Sequence, residues 1–104
     1  MPTTPQQIGI VLFDGAEELD AIGPWEVLSY WARVFPQDGY ATFTLSPGGG
    51  LVQCAKGLRV QPDCSFADAP AVDVLLHPGG RGVSPLLDDA AHLDWVRDQR
   101  AGVP

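Results

Sequence analysis

The sequence predicts an α/β domain with a mostly parallel sheet and one β-hairpin. Segments 8–13 and 72–78 are continuous apolar runs, as in strands that are buried on both faces of a sheet. Helical patterns separate the two runs, and strands that alternate with helices indicate a parallel sheet covered on both sides. A chain of 104 residues is long enough for one domain with a modest core.

The first part of the chain is predicted to contain an arm, a strand and a broken helix. Residues 1–7, MPTTPQQ, are expected to form a short disordered arm, and the strand IGIVLF follows at 8–13. A helical segment begins at about Glu17. It is expected to break at Gly23-Pro24, because proline suits the first position of a new helix. The second helix then extends to about Phe35.

The later elements follow from alternation, turn residues and helical spacing. Gly57 lies between two short apolar stretches, which indicates a hairpin turn. The predicted elements are a strand at 41–46, a hairpin of 51–54 and 58–62, a capped helical turn at 65–70, the strand at 72–78 and a helix at about 90–101.

The last helix indicates how this chain relates to a whole domain. In an α/β architecture such a helix is followed by another strand. Residues 8–104 are therefore expected to form the N-terminal part of a single larger α/β domain.

Charge and composition exclude several classes of function. The formal net charge is −7, whereas nonspecific nucleic-acid binding needs clustered Lys and Arg. No apolar run reaches transmembrane length, and no basic patch favours a membrane surface. The first residues lack the basic region and apolar core of a signal peptide. We therefore expect a cytoplasmic protein with no nucleic-acid or membrane partner in this segment.

Cys54 and Cys64 are expected to be free, buried thiols. They lack the spacing of a metal site, and no cluster of further ligands lies near them in the sequence. A disulfide between them is the alternative, which a reducing cytosol disfavours. Both are poor nucleophile candidates, because a reactive thiolate needs a helix N-terminus or a cationic neighbour.

Four carboxylates lie around the start of the helical region. If the helix were continuous, Asp20 would share a face with Val27, which is assigned to the apolar stripe that faces the sheet. Asp20 is thus the carboxylate expected to point toward the sheet edge, with a capping or solvated role as the alternative. Glu17 and Glu18 are expected to be ordinary solvated carboxylates at the helix start, and Glu26 to be structural.

The segment HPGG follows the buried strand at 72–78. Gly79 and Gly80 lack side chains there, so their backbone N–H groups can approach a ligand and can form an oxyanion hole. A plain tight turn is the alternative. For His77, a packed role is favoured over that of a base.

Several segments, in this order, resemble the ThiJ/PfpI superfamily. They are IGIVLFDGAEELDAIGPWEVL, KGLRVQPDCSFADAP, VDVLLHPGGRGVSPLLDD and LDWVRDQRAG. The superfamily has a flavodoxin-like sandwich fold related to class I glutamine amidotransferases, so the resemblance implies that fold, here only its N-terminal half. The combination LD-x-x-GP-x-E-V is most similar to the isonitrile hydratase subgroup and to the amidotransferase-like domains of AraC-type regulators. GAEELD and VQC are similar to the DJ-one branch.

The resemblance also implies a mechanism. In the hydratases a cysteine at a strand-to-helix elbow attacks an isocyanide carbon, and an acidic residue of the first helix acts as general acid and base. That acidic position matches Asp20, and the glycines that face the cysteine match Gly79 and Gly80. The elbow cysteine follows the strand that would begin at about Val103, so the nucleophile is not in this chain.

The resemblance therefore implies a hydratase that converts an isocyanide to an N-substituted formamide, with no metal or organic cofactor. Its partners would be a small-molecule substrate and a second copy of the chain, since the family commonly forms homodimers. One alternative is a sensing domain of an AraC-type transcriptional regulator. Another is a deglycase or stress protein of the DJ-one branch, which usually carries Glu at the position of Asp20.

Overall fold

The computed structural model describes residues 4–102, apart from the side chains of residues 100–102. The described residues form six strands, three α-helices and one 3-10 turn. In chain order these are β1 (Gln6–Val11), α1 (Glu18–Val34), the 3-10 turn (Pro36–Asp38), β2 (Tyr40–Ser46), β3 (Val52–Gln53), β4 (Arg59–Val60), β5 (Cys64–Ser65), β6 (Val74–Leu76), α2 (Val83–Leu86) and α3 (Ala90–Gly102).

Four strands form one parallel sheet in the order β5-β2-β1-β6. In the central strand, Ile8 pairs with Thr42 of β2 on one side and with Val74 of β6 on the other. Strands β3 and β4 pair antiparallel as a separate hairpin, with Gly57 at a φ of +101° in its turn. The predicted α/β class, parallel sheet and hairpin are therefore confirmed.

Alternate residues of β1 lie in different layers of the core, because successive strand side chains point to opposite faces of a sheet. Ile10 belongs to a cluster with Ala21 of α1. Val11 belongs to a second cluster, against which Trp95 of α3 packs. Helices α1 and α3 thus cover opposite faces of the sheet, which gives the sandwich implied by the family resemblance.

Helix α1 is continuous from Glu18 to Val34, with Pro24 inside it, so the predicted break at this proline is wrong. A proline lacks only its own N–H, which leaves one backbone carbonyl of the preceding turn without its helical partner. The helix packs on the sheet on both sides of that position. Ala21 is buried before Pro24, and Ser29 is buried after it, with Ser29 Oγ 2.8 Å from Thr42 Oγ1 of β2.

The direction assigned to Val27 is also wrong, because its side chain is 67% exposed. Asp20 is exposed as well. The sheet instead contacts the side of α1 that carries Ala21 and Ser29. Further apolar side chains exposed on α1 are Leu19, Tyr30 and Val34.

Several predicted boundaries differ from the structure. Strand β1 begins at Gln6, so the last two residues of the predicted arm belong to it, and residues 1–3 lie outside the described residues. The strand predicted at 72–78 is shortened to Val74–Leu76. Strand β5 and helix α2 were not predicted. No helix among residues 4–102 has the length and apolar character needed to cross a membrane.

Candidate functional site

Two loops cross at the carboxyl ends of β1 and β6. The Glu17 amide donates to the Gly79 carbonyl at 2.9 Å, and the Gly82 amide donates to the Gly15 carbonyl at 3.1 Å. A Cβ on Gly80 would lie 2.5 Å from the Glu17 nitrogen, and Gly80 has a φ of +127°, which only glycine adopts without strain. The loops approach backbone to backbone because glycines occupy the crossing.

Asp20 lies against this crossing. A Cβ on Gly79 would lie 3.3 Å from Asp20 Oδ2, so the carboxylate sits directly over the glycine backbone. The Asp20 side chain takes part in neither of the ion pairs found between described residues. The structure thus brings the predicted site residues Asp20, Gly79 and Gly80 together, with the carboxylate at the exposed end of the sheet.

The amides of Gly79 and Gly80 are available to a ligand. Among the residues that the structure describes, neither amide donates a hydrogen bond to a backbone carbonyl. Most backbone N–H groups in folded proteins find such a partner unless water or a ligand satisfies them. Two free donors beside a carboxylate can bind an atom on which negative charge develops.

Glu18 is not an ordinary solvated carboxylate, in contrast to the prediction. Its Oε2 accepts hydrogen bonds from the Lys56 amide at 2.7 Å and the Leu58 amide at 3.3 Å, in the hairpin turn. Burial raises the pKa of Glu18, but the hydrogen bonds from backbone amides together lower it by more, so its net pKa lies below the ordinary value. Glu17 forms an ion pair with Lys56 Nζ. These two carboxylates tie α1 to the hairpin.

The two cysteines are free thiols, as predicted. Cys54 is buried, whereas Cys64 is only half-buried. Burial raises the pKa of Cys54, and Glu18, Asp14 and Glu17 raise it further. Burial and nearby carboxylates likewise raise the pKa of Cys64. Both thiols are therefore protonated near neutral pH, which makes them poor nucleophiles.

Sequence reasoning missed a pair of histidines behind the glycine loop. His77 Nε2 lies 2.9 Å from His92 Nε2, and the His77 ring stacks on Phe13 at a centroid distance of 5.1 Å. His77 is exposed although its ring contacts Phe13 and His92, so the packed role favoured from the sequence is only partly confirmed. A usable signal was present, since the chain has only two histidines, one at the end of a predicted strand and one near the start of the predicted last helix.

An open cavity of about 560 Å³ lies beside the loop crossing. Asp14 and Gly15 line it from the first loop, Arg81 from the second and Arg59 from the hairpin. Residues 4–102 contain no group of three or more side chains that could hold a metal ion. What the residues of this region offer is a carboxylate, two amides and nearby space for a small molecule.

Comparisons with known proteins agree with the resemblance seen in the sequence. The profile of the DJ-1/PfpI family matches residues 6–102. Isonitrile hydratase from Pseudomonas putida is 39% identical over 95 residues, which cover 91% of this chain and 39% of the relative. The HTH-type transcriptional regulator GbdR from Pseudomonas aeruginosa is 33% identical over 79 residues, which cover 76% of this chain and 22% of the regulator.

Solved structures show the same fold. A DJ-1 superfamily protein from Agrobacterium tumefaciens is 28% identical and superposes with a TM-score of 0.67, over 94% of this chain and 51% of that protein. The chain therefore spans about half of that structure and less than half of the curated relatives named above. The family profile covers nearly all of its residues, and the chain belongs to the DJ-1/PfpI family.

Proposed function

We propose that this chain supplies the acid–base carboxyl and the amide donors of an enzyme that hydrates an isocyanide to an N-substituted formamide. The observation that supports this most directly is the position of Asp20 Oδ2 against Gly79, beside two amides that have no backbone acceptor among the described residues. The 39% identity to isonitrile hydratase supports the choice of substrate class.

The first half of the proposed reaction uses Asp20 as an acid. A cysteine thiolate attacks the terminal carbon of the isocyanide and forms a C–S bond. The Asp20 carboxyl then gives its proton to that carbon, which yields a thioimidate in which the carbon is double-bonded to nitrogen. A positioned carboxyl suits this step, because proton transfer in the transition state removes the developing charge.

The second half uses Asp20 as a base. The carboxylate takes a proton from water as the oxygen adds to the thioimidate carbon, and the resulting carboxyl passes that proton to the nitrogen. As the C–S bond of this adduct breaks, the carboxylate takes the hydroxyl proton, which releases the formamide, regenerates the thiolate and restores the Asp20 carboxyl. One water is consumed in each cycle. The Gly79 and Gly80 amides donate hydrogen bonds to the oxygen that has added to the thioimidate carbon, and they stabilise the negative charge that develops on it as the adduct forms and collapses.

In this proposal the cysteine comes from outside the 104 residues. Cys54 and Cys64 are both held protonated, with pKa values raised by burial. Cys54 is also 97% shielded from solvent, since only 3% of it is exposed. Neither can supply the thiolate that the first step requires.

The test is an assay of formamide formation from a small alkyl isocyanide by the protein expressed from its complete gene. We expect Asp20→Asn to lower kcat by about 100-fold or more, because it removes general acid–base catalysis. Its urea unfolding midpoint should stay unchanged, since Asp20 is exposed.

Glu26→Gln is the matched control, because Glu26 is an exposed carboxylate on the same helix. It should leave turnover unchanged. Turnover by Asp20→Asn at the wild-type rate would remove Asp20 from the mechanism.

A sensing domain of an AraC-type regulator is the second candidate, and the 33% identity to GbdR favours it. In that case the cavity beside the loop crossing would bind a ligand without converting it. Absence of formamide in the assay, together with specific DNA binding by the full-length protein, would support this candidate. A deglycase of the DJ-one branch would instead act on aldehyde-derived adducts, which the same assay can include.

A homodimer is part of the same proposal. Leu19, Val27 and Tyr30 of α1 are at least 62% exposed, and together they form an apolar stripe on the outer face of the helix. Burial of such a stripe against a second copy would remove apolar surface from water.

A further inference from the structure

The two histidines of the chain lie directly behind the glycine loop. His77 follows β6, and its Nδ1 lies 2.9 Å from the carbonyl oxygen of Pro78. His92 lies in the first turn of α3, and the two Nε2 atoms are 2.9 Å apart. His92 is 3% exposed, and its Nδ1 is buried with no hydrogen-bond partner among the described residues.

These contacts fix the neutral tautomer of each ring. The Pro78 carbonyl can only accept a hydrogen bond, so His77 Nδ1 carries a proton and donates it. The neutral His77 ring then has a lone pair at Nε2, which must accept from His92 Nε2–H. His92 Nδ1 is left as a lone pair, which is why it can remain buried without a donor partner. One chain of hydrogen bonds thus runs from His92 through His77 to Pro78.

The surroundings oppose an added proton. A proton on His92 Nδ1 would place a charge among Phe13 and Phe66, whose rings lie 6.4 Å and 5.3 Å from the His92 ring. A proton on His77 Nε2 would point at the Nε2–H of His92, with the two nitrogens only 2.9 Å apart. A proton on His92 Nδ1 would be a donor without an acceptor, and a proton on His77 Nε2 would remove the hydrogen bond between the rings.

Two charged groups lie near the pair, Asp89 just before α3 and Arg97 on α3. Burial lowers the pKa of His92 and the neighbouring His77 lowers it further, whereas Asp89 opposes the shift. Asp89 Oδ1 accepts the His92 amide hydrogen at 3.1 Å, and Arg97 lines the open cavity shared by both histidines. The neutral form of His92 is therefore the one favoured near pH 7.

His77 contacts the peptide that carries a candidate amide donor. The Pro78 carbonyl and the Gly79 N–H belong to one planar trans peptide unit, in which they point in opposite directions. A hydrogen bond that holds the Pro78 oxygen therefore also sets the direction of the Gly79 N–H. No backbone amide of the described residues donates a hydrogen bond to the Pro78 oxygen.

We propose that His77 and His92 form a proton-sensitive positioning pair, which in its neutral state holds the Gly79 amide in one fixed direction. A proton on His92 Nδ1 would place a charge in a buried position without an acceptor, so the charged His92 ring must turn out toward water. His77 then loses its partner at Nε2, and its ring is free to turn away from the Pro78 carbonyl. The consequence for turnover rests on the proposed function, whereas the coupling between the rings and the Gly79 amide does not.

The coupling is tested by NMR on the protein expressed from its complete gene. Ring nitrogen shifts should show a proton on Nδ1 of His77 and on Nε2 of His92 at neutral pH. As the pH falls below 6.5, the ordinary value for His92, the His92 ring and the Gly79 amide should titrate with one midpoint. Separate midpoints, or a Gly79 amide that does not titrate, would overturn the proposal.

Two variants separate positioning from simple packing. His92→Gln keeps a neutral amide group but cannot be protonated, so the Gly79 amide should no longer titrate with the wild-type midpoint. His77→Gln changes a largely exposed side chain, so it serves if His92→Gln fails to fold, and it should uncouple Gly79 from His92 titration. An unchanged Gly79 titration in the folded variant would overturn the proposal.

Turnover distinguishes this proposal from the proposed function. In wild type, kcat/KM for hydration should fall about tenfold as His92 is protonated, because a misplaced donor weakens transition-state stabilisation, and His92→Gln should lack this step. If the Gly79 amide titrates with His92 but Asp20→Asn turns over normally, the positioning pair is supported and the proposed function fails. If Asp20→Asn loses turnover but the Gly79 amide does not titrate with His92, the proposed function is supported and the positioning pair fails.

Discussion

Glu18 and Asp20 lie two residues apart on α1, yet they face different parts of the molecule. Glu18 accepts hydrogen bonds from the Lys56 and Leu58 amides of the hairpin turn. Asp20 lies over Gly79 of the opposite loop. Residues two apart on a helix differ in direction by roughly 200°, so neighbouring carboxylates in the sequence have unrelated surroundings.

The difference shows which carboxylate is committed to structure. Hydrogen bonds from backbone amides favour the charged form of Glu18 and hold its pKa below the ordinary value, although burial acts in the opposite direction. A carboxylate held in this way is a poor proton donor. Asp20 is exposed and forms no ion pair with described residues, which is why the proposed function places the proton transfer on it.

The largest expected effect is on the Asp20 side, where Gly80→Ala should destabilise the loop crossing. The added Cβ would lie 2.5 Å from the Glu17 nitrogen and 2.6 Å from the Gly15 oxygen, at a φ of +127°. We expect the free energy of unfolding to fall by about 3 kcal/mol, in the range of strained or overpacked sites. Urea unfolding followed by circular dichroism measures it.

Gly48→Ala is the matched control for this variant. A Cβ on Gly48 would meet no atom within 4 Å, and Gly48 is exposed. Its free energy of unfolding should change by less than about 0.5 kcal/mol, as for an ordinary surface position. Equal stability of the two variants would show that the loops can separate without cost.

Much of the fold could be predicted because it depends on local pattern. The apolar run at 8–13 and the alternation at 41–46 are visible in the sequence, and both became central strands. The break at Pro24 was wrong because burial of Ala21 and Ser29 against the sheet outweighs one missing helical hydrogen bond. Tertiary packing of this kind leaves no local signal.

The site was only partly predictable for the same reason. Asp20 was assigned through Val27, whose direction was wrong, and through the family motif, which identified the same residue. Glu18 was missed because its partners lie 38 and 40 residues later in the sequence. The contact of His77 with His92 joins a strand end to a helix start, and a single sequence does not show which of these meet.

On the Glu18 side we expect a smaller and more local effect. Glu18→Gln keeps the shape of the side chain but weakens both hydrogen bonds to the hairpin turn, since bonds to a charged acceptor are the stronger ones. Hydrogen exchange of the Lys56 and Leu58 amides should accelerate about tenfold through local opening. Because the pKa of Glu18 is lowered, this protection is present above its ordinary value of 4.5 and is lost as the pH falls.

Two controls sharpen the contrast between the carboxylates. Glu26→Gln should leave the exchange of both amides unchanged, because Glu26 is exposed and lies about two helical turns beyond Glu18 on α1. Asp20→Asn should do the same while lowering kcat as the proposed function predicts. Fast exchange in Asp20→Asn would mean that both carboxylates support the hairpin and that the proposed separation of roles is wrong.

The smallest effect is expected for Lys56→Gln. This change removes the ion pair with Glu17 but retains the hydrogen bond from the backbone amide of residue 56 to Glu18. The hydrogen bond to Glu17 raises the pKa of Lys56, so the contribution of this pair is present below the ordinary value of 10.5 and is lost as the pH rises further. The Lys56 side chain is 67% exposed, and salt screens such pairs. Exchange of the Leu58 amide should therefore match wild type at about 0.15 M salt and differ only at low salt. If Lys56→Gln accelerated this exchange as much as Glu18→Gln, the hairpin would be held by the lysine side chain, and Glu18 would lose the structural role that separates it from Asp20.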